Sequence, residues 1–112
     1  MTRTRRDRGA VTAEVAIALP AVVLVLVASI HGLTAATTLM RAQDAAADAA
    51  RSVARGESAA AAAGQVVGAL PGGRLRTELS GDLVCATVVV RPRILGVPIA
   101  LDARSCALAG GR

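Results

Sequence analysis

Residues 10–33 read AVTAEVAIALPAVVLVLVASIHGL, and they follow nine residues, MTRTRRDRG, in which four arginines stand against one aspartate. The only formal charge within the apolar stretch is Glu14. A carboxylate in that setting is expensive: insertion scales charge about 2.5–3.5 kcal/mol for an ionised residue at the centre of a membrane helix, and intramembrane ionisable groups are functional candidates by default. With His31 neutral, no side chain from residue 15 to residue 40 carries a formal charge. As a helix that stretch spans about 39 Å, against about 30 Å of bilayer hydrocarbon. A membrane-crossing helix over residues 10–40 is the expectation. Arg3, Arg5, Arg6 and Arg8 set its topology, because a basic flank stays on the cytoplasmic side and places everything after Met40 outside.

Composition narrows the classes of function. The chain has 112 residues, and once the basic leader and apolar stretch are set aside too little remains for a large core with a deep pocket. No enzymatic activity is expected: there is no Ser/His/Asp set, no carboxylate pair suited to a pocket and no phosphate-binding glycine loop. All thirteen basic residues are arginine, there is no Phe, Tyr or Trp, and Ala, Val and Leu carry the apolar content. This usage suggests a GC-rich, actinobacterial coding sequence. The net charge of +5 does not indicate nucleic acid as a partner, because +3 of it lies in the first nine residues and the rest forms no basic stripe. No cofactor or metal is expected. His31 has no second ligand at the usual spacing and reads as a polar residue near the outer interface.

A secretory signal peptide shares the basic and apolar segments, but Glu14 and Pro20 interrupt the apolar run and no clear A-x-A cleavage site precedes a polar start. Pro20 removes one helical hydrogen bond, which membrane helices tolerate, and reads as a packing kink, with a conformational role in assembly as the alternative.

The string Arg8-Gly9-Ala10-Val11-Thr12-Ala13-Glu14-Val15-Ala16 resembles the N-terminal signature of prepilin-like proteins. More closely it is similar to the TadE-like minor pilins and pseudopilins of the tight-adherence (Tad) branch of type IV pilus systems, whose chains open R-x-G-A-x-x-x-E before an apolar, proline-containing helix. The resemblance implies cleavage after Gly9 by a prepilin peptidase, with Ala10 as the new N-terminus and Glu14 as the fifth mature residue. It also implies other pilins, assembly platform proteins and a cytoplasmic ATPase as partners, in addition to membrane lipid. Physical chemistry supplies a role for Glu14: a carboxylate near the free amine of a neighbouring subunit can pair with it and set the axial register of helices that otherwise slide freely. The alternative is a glutamate snorkelling to the cytoplasmic headgroups.

Beyond the apolar stretch, residues 41–55 (RAQDAAADAARSVAR) contain strong helix formers and no Gly or Pro. Arg41, Asp44, Asp48, Arg51 and Arg55 share one stripe, with Arg41–Asp44 and Asp48–Arg51 spaced to pair. Alanines cover the remaining surface, suiting either close packing or a solvated stalk. Gly56 ends this helix, Ser58 caps a short second one, and Pro71-Gly72-Gly73 ends the helical region over 41–70.

The period then changes to two. A turn at Gly81-Asp82 sets Leu79 opposite Val84, Thr77 opposite Ala86 and Leu75 opposite Val88. If Cys85 faces Cys106 across a second hairpin centred between Leu95 and Gly96, then Val84 meets Ala107, Val88 meets Ala103, Val90 meets Leu101 and Pro92 meets Ile99. Both hairpins then share one apolar face, and a one-residue slip would reverse it. The expected fold is α+β: a long N-terminal helix, a short second helix, and over residues 74–108 a three-stranded antiparallel meander stapled by Cys85–Cys106. Val84, Val88, Val90, Ile99 and Leu101 are expected to face the helix.

The leading functional expectation is a structural pilin-like subunit in the bacterial cytoplasmic membrane, possessing one membrane pass. The alternative is an unprocessed single-pass anchor displaying a small disulfide-bonded binding module. A secreted soluble effector ranks last.

Overall fold

The computed structural model describes the backbone of residues 2–110 and the side chains of residues 8–110. Seven elements follow in order: α1 (Thr2–Ala54), α2 (Ala59–Ala69), β1 (Arg74–Ser80), β2 (Leu83–Val90), β3 (Arg93–Ile94), β4 (Val97–Pro98) and β5 (Leu101–Leu108). The chain divides into two compact units, Met1–Leu33 and Thr34–Arg112. The second unit therefore begins within the stretch read as membrane helix. Its first buried side chain is Ala42.

From residue 10 to residue 33 α1 carries one charged side chain, Glu14, and continues through Pro20. Three of its polar side chains turn back onto their own helix. Thr12 Oγ1 donates to the Arg8 carbonyl at 2.8 Å, and Ser29 Oγ donates to the Val25 carbonyl at 2.7 Å. His31 Nδ1 lies 2.8 Å from the Val27 carbonyl. A carbonyl only accepts, so Nδ1 carries the hydrogen. Such back-bonding satisfies polar groups without solvent, which an apolar surrounding demands.

In the second unit α1 ends as its sequence dictates. Gly56 has φ +100°, its N–H reaches the Val53 carbonyl at 3.0 Å, and the Glu57 N–H reaches the Ser52 carbonyl at 3.1 Å. This is a Schellman ending, in which glycine takes the left-handed position without steric cost. Ser58 then caps α2, its side chain accepting from the Ala61 N–H at 3.1 Å. Pro71 follows the last turn.

Strands β1, β2 and β5 form one antiparallel sheet in that order. The registers are those expected, with Leu75 opposite Val88, Thr77 opposite Ala86, Cys85 opposite Cys106 and Val90 opposite Leu101. Gly81 has φ +60° and Asp82 has no positive φ, the combination of a type II′ turn. The second hairpin continues past the sheet as a separate two-stranded ladder, β3 with β4, closed by Leu95 (φ 53°) and Gly96 (φ 79°). Two successive positive φ values make this a type I′ turn.

The core is built from small residues. Ala42, Ala45, Ala46, Ala49 and Ala50 of α1, with Ala62, Val66 and Leu70 at α2, cluster with Ala86, Val88, Val90 and Ala103 of the sheet. Among the described residues, Val88 is the only fully buried side chain larger than alanine, at 0% exposure. Alanine lets the helices approach the sheet closely and loses no rotamer freedom on burial. Gly73 serves the same close packing: a Cβ there would lie 3.0 Å from the Leu70 carbonyl oxygen.

Two expectations require correction. Ile99 does not join the buried face; it lies two residues before β5 and is 40% exposed. Leu79 has the expected partner, Val84, and is 79% exposed beside the turn. The stripe Arg41, Asp44, Asp48, Arg51 and Arg55 is exposed as expected, yet neither Arg41–Asp44 nor Asp48–Arg51 forms an ion pair. Exposed pairs contribute only about 0–1 kcal/mol and must hold two long side chains still. Among the described residues the one ion pair is Arg55–Glu57, at 3.8 Å.

Candidate functional site

The residues singled out at the N-terminus all lie on the first stretch of α1. The side chains of Arg3, Arg5 and Arg6 lie outside the described residues. Arg8, Gly9, Ala10 and Glu14 are exposed. Glu14 has neither an ion pair nor a side-chain hydrogen bond among the described residues. Gly9 has open space where a Cβ would be. Apart from proline, glycine is the residue that holds a helix least well, so the helix opens most cheaply at the position read as the cut site.

Around Glu14 the helix surface is apolar. Val11, Val15, Ile17, Leu19, Val22 and Leu24 are all exposed, and the same holds for the large apolar residues through Leu33. Its most apolar 18-residue window has a mean hydropathy of 2.5, and none of it is buried. Burying each such side chain is worth roughly 1.5–3 kcal/mol. A surface of this kind is stable only against lipid or other apolar helices. The helix is long and apolar enough to cross a membrane.

The second unit carries the disulfide and a groove. Cys85 and Cys106 are bonded, and no cysteine is free among the described residues. The strand alternation puts them on the sheet face away from the helices, in line with Thr87 and Arg104, as expected. Cys85 is buried, whereas Cys106 is exposed.

The groove has a volume of about 460 Å³ and lies where the chain enters the second unit. Arg41 of α1, Arg74 and Arg76 of β1, and Arg91 after β2 line it, together with Pro71 and Pro92. Among the described residues none of these arginines has an ion pair. Sequence reading missed the cluster, since its members are brought together only by the α2–β1 turn and the end of β2. No group of His, Cys, Asp or Glu among the described residues is arranged to hold a metal.

Comparison of this chain with protein-family models, with curated proteins and with solved structures finds no match.

Proposed function

We propose that this chain is a structural subunit of the TadE-like minor pilin or pseudopilin type, made as a precursor, cut after Gly9 and anchored by its N-terminal helix. One observation carries this reading: an unburied apolar helix bears a single unpaired carboxylate, Glu14, five residues after Gly9. Lipid solvates the apolar surface before assembly, and helices of neighbouring subunits cover it afterwards. Glu14 then takes the α-amine of an adjacent Ala10 as its counter-charge, which selects one axial register from many of similar apolar contact. The disulfide-bonded unit is the exported part, where an oxidising compartment keeps Cys85–Cys106 closed. Prepilin peptidase, other pilins, the assembly platform and its ATPase are the partners this role requires.

Intact-mass measurement of the chain isolated from membranes tests the proposal. A chain starting at Ala10 supports processing. A start at Met1 or Thr2 favours the unprocessed anchor, and a start near Ile30 favours the secreted protein.

A further inference from the structure

The hairpin β3–β4 combines two unfavourable features. Leu95 occupies the first position of a type I′ turn at φ 53°, where Asn, Asp or Gly is preferred and a branched aliphatic side chain is strained. Its side chain is also 65% exposed, and Val97 and Ile99 beside it are exposed as well. An apolar tip in a strained turn stabilises nothing in the unit itself.

Its position supplies a reason. The hairpin leaves the sheet beyond Val90 and Leu101, and Val90, Arg91 and Pro92 line the same groove as Thr38 and Arg41 of α1. The apolar tip and the four groove arginines thus share the end at which the chain enters the unit. Arg93, also exposed, stands at the base of the hairpin. The five residues from Val90 to the tip reach about 16 Å as strand. The helix from Arg41 back to Thr34 rises about 10 Å, so the tip is long enough to draw level with the start of the unit. Glu78 and Asp102 on the outer sheet face, and Asp44 one helical turn from Arg41, form no ion pair with the arginines.

We infer that this end of the second unit rests on the anionic lipid surface of the membrane from which the chain emerges, with Leu95, Val97 and Ile99 in the interfacial region and Arg41, Arg74, Arg76 and Arg91 on lipid phosphates. The inference rests on the membrane reading of α1. Charge complementarity and chain connectivity select lipid as the occupant. Arginine forks match phosphate oxygens, and apolar side chains flanked by cations suit the headgroup boundary. The contact holds the unit at the membrane until the subunit is withdrawn into an assembly.

The chain contains no Phe, Tyr or Trp, so one introduced tryptophan is a unique fluorophore. Full-length Val97→Trp, Leu79→Trp and Val22→Trp chains are reconstituted into nanodiscs of phosphatidylcholine, with or without phosphatidylglycerol, and quenching by lipids brominated in the upper acyl chain is recorded. The Val97→Trp chain is expected to show blue-shifted, quenched emission in the anionic discs, and the Leu79→Trp chain neither. Each arginine near an anionic leaflet is worth about a factor of five, so adding Arg74→Gln and Arg76→Gln lowers the tip's partition about 30-fold. Leu95→Asn, which relieves the turn, is expected to raise the melting temperature of the unit while reducing quenching of the Val97→Trp signal. Water-exposed emission from the Val97→Trp chain in anionic discs overturns the inference, as does emission shielded from water yet unquenched by lipid, which would mean a protein cover. A response to inorganic phosphate in phosphatidylcholine discs, with none to phosphatidylglycerol, overturns it in favour of a free-phosphate site. Quenching of the Val22→Trp chain alone leaves the membrane reading standing without the inference, and loss of that quenching too removes both.

Discussion

Opening the disulfide should remove a large part of the second unit's stability. Cys85 and Cys106 are separated by 21 residues. For a loop of that size the chain-entropy relation gives about 3.3 kcal/mol at 25 °C. The unit Thr34–Arg112, at about 2.1 cal/mol/K of unfolding entropy per residue, then melts about 20 °C lower when the bond is absent. The assay is far-ultraviolet circular dichroism melting in detergent micelles with and without reductant. Trypsin cleavage at Arg76 and Arg104 adds a readout specific to the strands. A Cys85→Ala/Cys106→Ala chain should melt slightly below the reduced wild type, because removing the buried Cys85 sulfur leaves a small void as well. Cys106 is an exposed residue, so reductant is expected to reach the bond without prior unfolding. A drop of less than about 5 °C in both experiments, equivalent to under 1 kcal/mol, would refute the reasoning by showing that the alanine core and the two ladders hold the register unaided.

Other substitutions test separate parts of the structure. Glu14→Ala should leave cleavage after Gly9 largely intact, read as a chain still starting at Ala10, but sharply reduce its co-purification with other pilin subunits; normal incorporation would remove the pairing role. Ala46→Leu places three extra carbons where α1 has no exposed surface and should destabilise the second unit by about 1–3 kcal/mol in denaturant titration. Ser58→Ala removes the oxygen that accepts from the Ala61 N–H, with an expected loss of about 1 kcal/mol by the same titration. Gly81→Ala puts a Cβ on the positive-φ position of the first hairpin and should cost about 1–3 kcal/mol, whereas Gly64→Ala, in α2 with open space around it, should be neutral or slightly stabilising.

The strand registers were legible in the sequence because two independent markers agree. Gly81-Asp82 fixes the first hairpin, the cysteine pair fixes the second, and both registers put the apolar residues of β1 and β5 on the face that holds Val84 and Val88. Ile99 was misjudged because alternation assigns a face but not whether anything covers it. Its exposure depends on how far the helices extend over the sheet, and no local pattern encodes that. The groove arginines were invisible for a related reason: Arg41 and Arg91 are fifty residues apart, and only the folded α2–β1 connection brings them together. The expected ion pairs failed on energetics, since correct spacing does not offset the entropy of fixing exposed side chains. At the N-terminus Gly9, Ala10 and Glu14 form no local cluster whose geometry could distinguish them from other helical residues. The spacing and the cost of the lone carboxylate mark them out.

The alanine seam between the helices and the sheet also sets how the second unit responds to temperature. Each buried alanine exposes little apolar area when the unit opens, and the heat-capacity change of unfolding scales chiefly with that area. A unit held by many small contacts and one covalent link therefore has a shallow stability curve. Its stability changes gradually between cold and warm growth conditions, and the temperature at which the hydrophobic drive fades on cooling is pushed further down.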